Sequence, residues 1–415
     1  MNTAVSILKY ALAALVVVTV FGLFGWYFFI DSRIEQTTAD DQARGFGETP
    51  SFASSLGSTF QNIASNLADT FSIADDTNGQ AQAGKRAPRL WAVTKSPVAG
   101  AGFASTTSQL FFVERGSGNM LKADPATSAV ERITNTVLPR IYEALFATDG
   151  SVILRSISDE GAITSYAARL STTTPSESAT STPQTLQGVY LSQNISAISS
   201  PGTNRIVSVI PSANGSIGVT SDWQGKNQKS LFTSVLSNWT IHALSDGKIY
   251  AVQKAADNAS GYAFQVSSNG TFTPILSNIS GLTVLPRANS EALIYSRAAN
   301  GTFTLFARTN RTATAVTLPI QTISEKCVWV PGQILIAYCA VPQSTTGVTL
   351  NEWYQGAKHT SDTWWRVDVS AGTATQIFTP NTAIDVENPR IDAAGAYIAF
   401  MNANDKSLWM LRTAE

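Results

Sequence analysis

With two cysteines, two histidines and a charged fraction of 14%, this chain of 415 residues has few of the side chains on which most enzyme chemistry rests. His242 and His359 lie far apart in sequence, and neither sits in a Cys/His cluster of zinc spacing, so no metal site is expected. No G-x-S-x-G elbow, Walker loop, G-x-G-x-x-G or H-E-x-x-H occurs, and therefore no catalytic residue and no cofactor is assigned. His242, beside Trp239 and Ile241, reads as a satisfied strand histidine rather than a base. Asp75, Thr77 and Gly79 fail the calcium-loop pattern at its third ligand and lack the closing Glu, so they read as linker. The 28 Lys and Arg balance 29 Asp and Glu, which leaves no electrostatic footprint for nucleic acid.

Long hydrophobic runs are also scarce: there is one. From Tyr10 to Ile30 no residue is charged, and about 20 apolar residues suffice to cross a hydrocarbon core. Lys9 precedes the run and Asp31, Arg33, Glu35, Asp40 and Asp41 follow it, so the positive-inside rule puts the N-terminus in the cytoplasm and the rest of the chain outside. The alternative, a cleaved signal peptide, predicts a shorter apolar core ending at a small-x-small site, whereas this run ends in Trp26, Tyr27, Phe28 and Phe29. The expected localisation is a cell membrane, crossed once. Residues 1–30 form the N-terminus and anchor, and residues 31–88 a polar linker. Within the linker, Phe52, Leu56, Phe60, Ile63, Leu67 and Phe71 recur at helical spacing and predict an amphipathic helix over 52–71. It lacks the basic face of a lipid-binding helix.

What is abundant is Ser, Thr, Gly and Asn around short apolar strands. LFFV from Leu110, VIL from Val152, IVSVI from Ile206, IYAV from Ile249, LIYS from Leu293, ILIAY from Ile334 and YIAF from Tyr397 follow at steps of 42, 54, 43, 44, 41 and 63. Removing the Ser/Thr/Pro run 171–185 and the segment 342–362 reduces the two long steps to 39 and 42. Four strands per repeat of about 40 to 45 residues is the spacing of a β-propeller. Asp149-Gly150, Pro201-Gly202, Asp246-Gly247, Pro331-Gly332 and Ala394-Gly395 supply hairpin turns before these strands. The last repeat ends four residues after LWML, one strand short, and Arg89–Lys95 (RLWAVTK) stands ahead of the first repeat with no blade of its own. Pairing the two would close a ring of seven blades over residues 89–415. A pair of β-sandwiches is the competing architecture for the same strand count.

Asn388–Phe400, NPRIDAAGAYIAF, resembles the blade motif of the TolB-like and WD40-like bacterial propellers, with Ala393 and Ala394 in place of the usual Pro-Asp before Gly395. The resemblance covers one blade and implies a fold and a general role in binding, not a reaction.

Cys327 and Cys339 flank one predicted hairpin, and a three-residue loop around Gln333 sets them directly opposite each other. Outside the cytoplasm such a pair is expected to be a disulfide; two buried thiols are the alternative. Asn194, Asn214, Asn238, Asn258, Asn269, Asn278, Asn300 and Asn310 begin N-x-S/T triplets and mark exposed turns.

The densest aromatic cluster lies in the sixth repeat, where Trp353, Tyr354, His359, Trp364 and Trp365 fall within 13 positions. Aromatic side chains on a long loop favour recognition, which makes these five the candidate binding residues. The competing reading puts Trp364 and Trp365 in the third strand, one facing each neighbouring blade. The insertion joins second and third strands and is expected on the face that carries the links between blades. The leading expectation is a non-enzymatic module that binds or scaffolds a protein or glycan. A propeller-fold hydrolase or lyase of envelope glycans, and a subunit of an envelope assembly or secretion complex, are the alternatives.

Overall fold

The computed structural model describes residues 87–414 apart from 105–107, 136, 148–149, 171–185, 203 and 346. The expected span Tyr10–Ile30, the linker, the helix over 52–71 and the Ser/Thr/Pro run therefore lie outside the described residues. Among the described residues no helix is long and apolar enough to cross a membrane.

The strands form seven four-stranded antiparallel sheets, each of neighbours in sequence except the last. Seven clusters of buried side chains sit one at each interface between consecutive blades, including that between blades seven and one. This is a closed seven-bladed propeller, not two sandwiches. The apolar repeats are the second strands of their blades. Because both faces of a blade are covered, they read as continuous apolar runs, as in Val152–Leu154, where all three residues are buried.

The closure joins the ends of the domain. Leu90–Thr94 pairs antiparallel with Leu408–Arg412, matching Leu90 with Leu411, Trp91 with Met410 and Ala92 with Trp409. Trp91 meets the Tyr397 ring edge-on at 6.3 Å, and Val93 joins the cluster between blades seven and one. The Arg89 guanidinium donates to the carbonyls of Ile377 and Thr413, so the latch also grips blade six.

In the sixth blade Cys327 and Cys339 form a buried disulfide between directly opposed residues with Cα atoms 4.0 Å apart. The expected register holds although the expected loop does not. Pairing extends only to Val330 and Ile336, so five residues turn the corner, and Ile334, read as the start of the strand, is exposed at its tip. In the last blade the departure from the Pro-Asp-Gly motif is offset by Asp392. Its buried carboxylate accepts from the backbone N–H of Ala396 and Tyr397, and Gly395 takes the positive φ that the turn requires.

Antiparallel order fixes the two faces of the ring. Each first strand starts on the face where the chain arrives from the preceding blade, and the second-to-third connections return to that same face, here called the link face.

Candidate functional site

The connection from Pro342 to Asp362 in blade six is the insertion singled out by the sequence, and it rises on the link face. It carries a short helix, Leu350–Tyr354. Thr349 and Glu352 form a capping box: the Thr349 N–H and hydroxyl donate to the Glu352 carboxylate, and the Glu352 N–H donates back to Thr349 Oγ1. The next two N–H groups, of Leu350 and Asn351, are taken by the carboxylate of Asp257, which belongs to the second-to-third connection of blade four, 93 residues earlier. The insertion thus reaches over blade five to its far neighbour.

The near end is held by a buried ion cluster. Lys326, one residue before the first strand of blade six, has an ammonium with three N–H groups and donates to Thr360 Oγ1 at 2.7 Å, Asp362 Oδ2 at 2.6 Å and Asp385 Oδ1 at 2.5 Å. All four residues are at most 9% exposed. The Trp353 ring lies 5.1 Å from Lys326 Nζ, and its indole N–H points at Asp385. His359 Nδ1 is 3.1 Å from Asp385 Oδ2. Burial pushes the Asp362 carboxyl above the usual range against the pull of Lys326. At Asp385 burial works the same way, but Lys326 and the hydrogen bonds from Lys326, Trp353 and Thr360 outweigh it and hold the carboxyl below its ordinary value.

Between the insertion and the blade-five turn lies an open groove of about 550 Å³, lined by Asn300, Gly301, Thr302, Thr345, Gly347, Thr349, Glu352 and Lys358. Its wall is polar, with one ion pair, Lys358 to Glu352, at 2.9 Å. The hydrogen bond from Lys358, helped by those from Thr349, holds the Glu352 carboxyl down to about 2, so it stays ionised.

The structure divides the five candidate aromatics and histidine. Trp353 and His359 meet at Asp385, and Tyr354 ends the helix. Trp364 is fully buried with its ring 5.1 Å from Phe400 of blade seven, and Trp365 packs towards blade five. Neither stands on the loop. His242 is on a first strand, Trp239–Ala243, as expected, half-buried and with no side-chain hydrogen bond to protein among the described residues. All eight triplet asparagines are exposed.

No family model and no curated protein matches the sequence. Among solved structures, a chain of hydrazine synthase from Kuenenia stuttgartiensis superposes with a TM-score of 0.50 at 11% identity, covering 81% of this chain and 99% of that one. The likeness is one of fold. A chain of the mitotic checkpoint complex gives 0.45 at 10% identity, covering 82% and 98%, and the tricorn protease 0.38 at 9%. This chain, matched over 73% of its own length, spans 37% of the tricorn protease chain.

Lys326, Asp362, Asp385 and Asp257 were missed by sequence reasoning because they come from three blades and share no spacing. One signal was present: Thr349 and Glu352 stand three apart, the pattern of a helix start.

Proposed function

We propose that the propeller is a non-enzymatic binding module whose ligand seat is the link-face groove between the blade-five turn and the blade-six insertion, and that it recognises a protein or glycan. The observation that carries this reading is the groove itself. It is concave and polar, and its wall is braced at both ends, by Asp257 on one side and by Lys326 and Asp385 on the other. A preformed polar wall lowers the ordering cost of binding and suits hydroxyl-rich or peptide-backbone ligands. The uncharged run Tyr10–Ile30 supports a membrane-anchored module held outside the cytoplasm, and the Asn388–Phe400 motif supports kinship with TolB-like propellers.

Filling the groove tests the reading. Thr345→Trp places an indole in it without touching the ion cluster or the helix cap. The full-length variant is expected to lose capture of envelope glycans or crosslinked envelope proteins while its melting temperature stays that of the wild type. Undiminished capture by a folded variant contradicts the assignment.

A further inference from the structure

The N-x-S/T triplets fall into an order once the face of each is known. Asn194 lies in the link between blades two and three, Asn214 in the second-to-third connection of blade three, Asn238 in the link between blades three and four, and Asn258 in the second-to-third connection of blade four. Asn278 stands at the bulged end of the fourth strand of blade four, Phe272–Ser280, and Asn300 in the second-to-third connection of blade five. All six are therefore on the link face. They follow at steps of 20, 24, 20, 20 and 22 residues, half a blade at a time.

Turn chemistry accounts for the asparagines but not for the triplets. Asparagine tolerates the left-handed region that a tight turn needs, and Asn194, Asn258, Asn278 and Asn300 have φ between 52° and 59°. On the opposite face Asn204, Asn227 and Asn289 do the same work at φ of 46°, 54° and 56°, and none has Ser or Thr two residues on. Link-face connections of the other blades hold Asn119, Asn135, Asn381 and Asn404, again without that hydroxyl. The pairing of asparagine with hydroxyl is thus concentrated on one face of three adjacent blades, and only Asn269 and Asn310, in third-to-fourth turns, fall outside it. The six are exposed, and the Nδ2 of none donates to a protein group among the described residues. Where Asn194 and Asn278 hydrogen-bond, they accept through Oδ1, from the Ile163 N–H and the Ser260 hydroxyl.

We propose that the link face of blades three to five is N-glycosylated at these six asparagines, a proposal that rests on the extracytoplasmic reading of the run Tyr10–Ile30. The co-reactant is an oligosaccharide carried on a lipid pyrophosphate. Asparagine Nδ2 bonds to the anomeric carbon, the bond from that carbon to the pyrophosphate oxygen breaks, the lipid pyrophosphate leaves with the electron pair, and Nδ2 gives up one proton. Ser216 is fully buried and donates to the Leu236 carbonyl, so transfer to Asn214 precedes the folding of blade three. Asn258, Ala259 and Ser260 are all exposed and stay open in the folded ring. The coat ends where blade six begins: the insertion Pro342–Asp362 holds no triplet, and Asn300, in the groove wall, marks the boundary. Sugar on three blades leaves the blade-six sector as the open part of the face.

The test is a site map of the full-length protein purified from the membranes of its native cells. Peptides are read by mass spectrometry with electron-transfer fragmentation, which keeps a sugar on its side chain. A hexose- or hexosamine-containing mass is expected on Asn258 and on most of the other link-face set. Ser260→Ala should remove it from Asn258 alone, and Ser260→Thr should keep it, each at the wild-type melting temperature. Unmodified asparagines throughout, sugar on Ser or Thr instead, or a glycan that stays on Asn258 in Ser260→Ala overturns the proposal; if Ser260→Ala does not fold, the wild-type map decides. Protease added to intact cells separates the two readings. A digestible, unmodified propeller sinks the glycosylation alone, and a protected, unmodified one sinks the extracytoplasmic location with it.

Discussion

The indole Nε1 of Trp353 lies 3.0 Å from both carboxylate oxygens of Asp385, 32 residues later in the chain and in the next blade. A side chain that the sequence offers as a stacking platform is therefore a clamp, holding the insertion to the start of blade seven. Its ring at the same time covers the Lys326 ammonium. In the proposed reading the groove walled by the clamped insertion takes the ligand, and Trp353 holds that wall in place.

Trp353→Phe separates the two roles. Phenylalanine retains a ring over Lys326 but has no N–H for Asp385, and a hydrogen bond to a charged group contributes about 1.5–3 kcal/mol. Urea denaturation should show a loss within that range, with capture by the groove weakened in parallel. Unchanged stability means that the indole N–H is dispensable and that the clamp does not operate.

His242, on the first strand of blade four, sets a pH dependence. Burial, with the repulsion of Arg390, brings the His242 pKa from 6.5 down to about 4. Between these values the unfolded chain binds the proton and the folded one does not. The contribution of His242 is therefore intact above pH 6.5 and is lost progressively as pH falls toward 4, by about 2–3 kcal/mol at most. His242→Asn should lose less stability than the wild type between pH 7 and pH 4 in chemical denaturation. Parallel pH curves would show that the imidazole titrates normally in the fold.

The latch of the ring is the third point. Removing residues 89–95 deletes the outer strand of blade seven, strips Trp91 from Tyr397 and Val93 from the core, and exposes the edge of Leu408–Arg412. Such an edge is a template for association. The truncated protein should melt markedly lower and self-associate on size-exclusion chromatography. A monomer with the wild-type melting temperature would mean that closure contributes little.

Much of this architecture was legible because a propeller writes a local period into its sequence. Each blade is built from neighbouring strands, so the second strands recur near every 40 residues, and even the pairing of Leu90–Thr94 with Leu408–Arg412 follows from one strand missing at one end and one spare at the other. The Cys327–Cys339 register was legible for the same reason, since a symmetric loop of three or five residues places the same two positions opposite. The site was not. Lys326, Asp362 and Asp385 meet through blade-to-blade packing, which no composition signal announces. Trp364 and Trp353 have the same residue type and lie 11 positions apart in sequence, but one fills a blade interface and the other anchors a loop.

The central claim is that ligand is taken on the link face at the blade-six insertion, and a photo-crosslinking residue reports on it most directly. Placed at Thr345 of the full-length protein in its native cells, it should give a discrete adduct on illumination. Placed at Ser268, in the third-to-fourth turn of blade four on the opposite face, it should give none. An adduct from Ser268 and not from Thr345 would contradict the account.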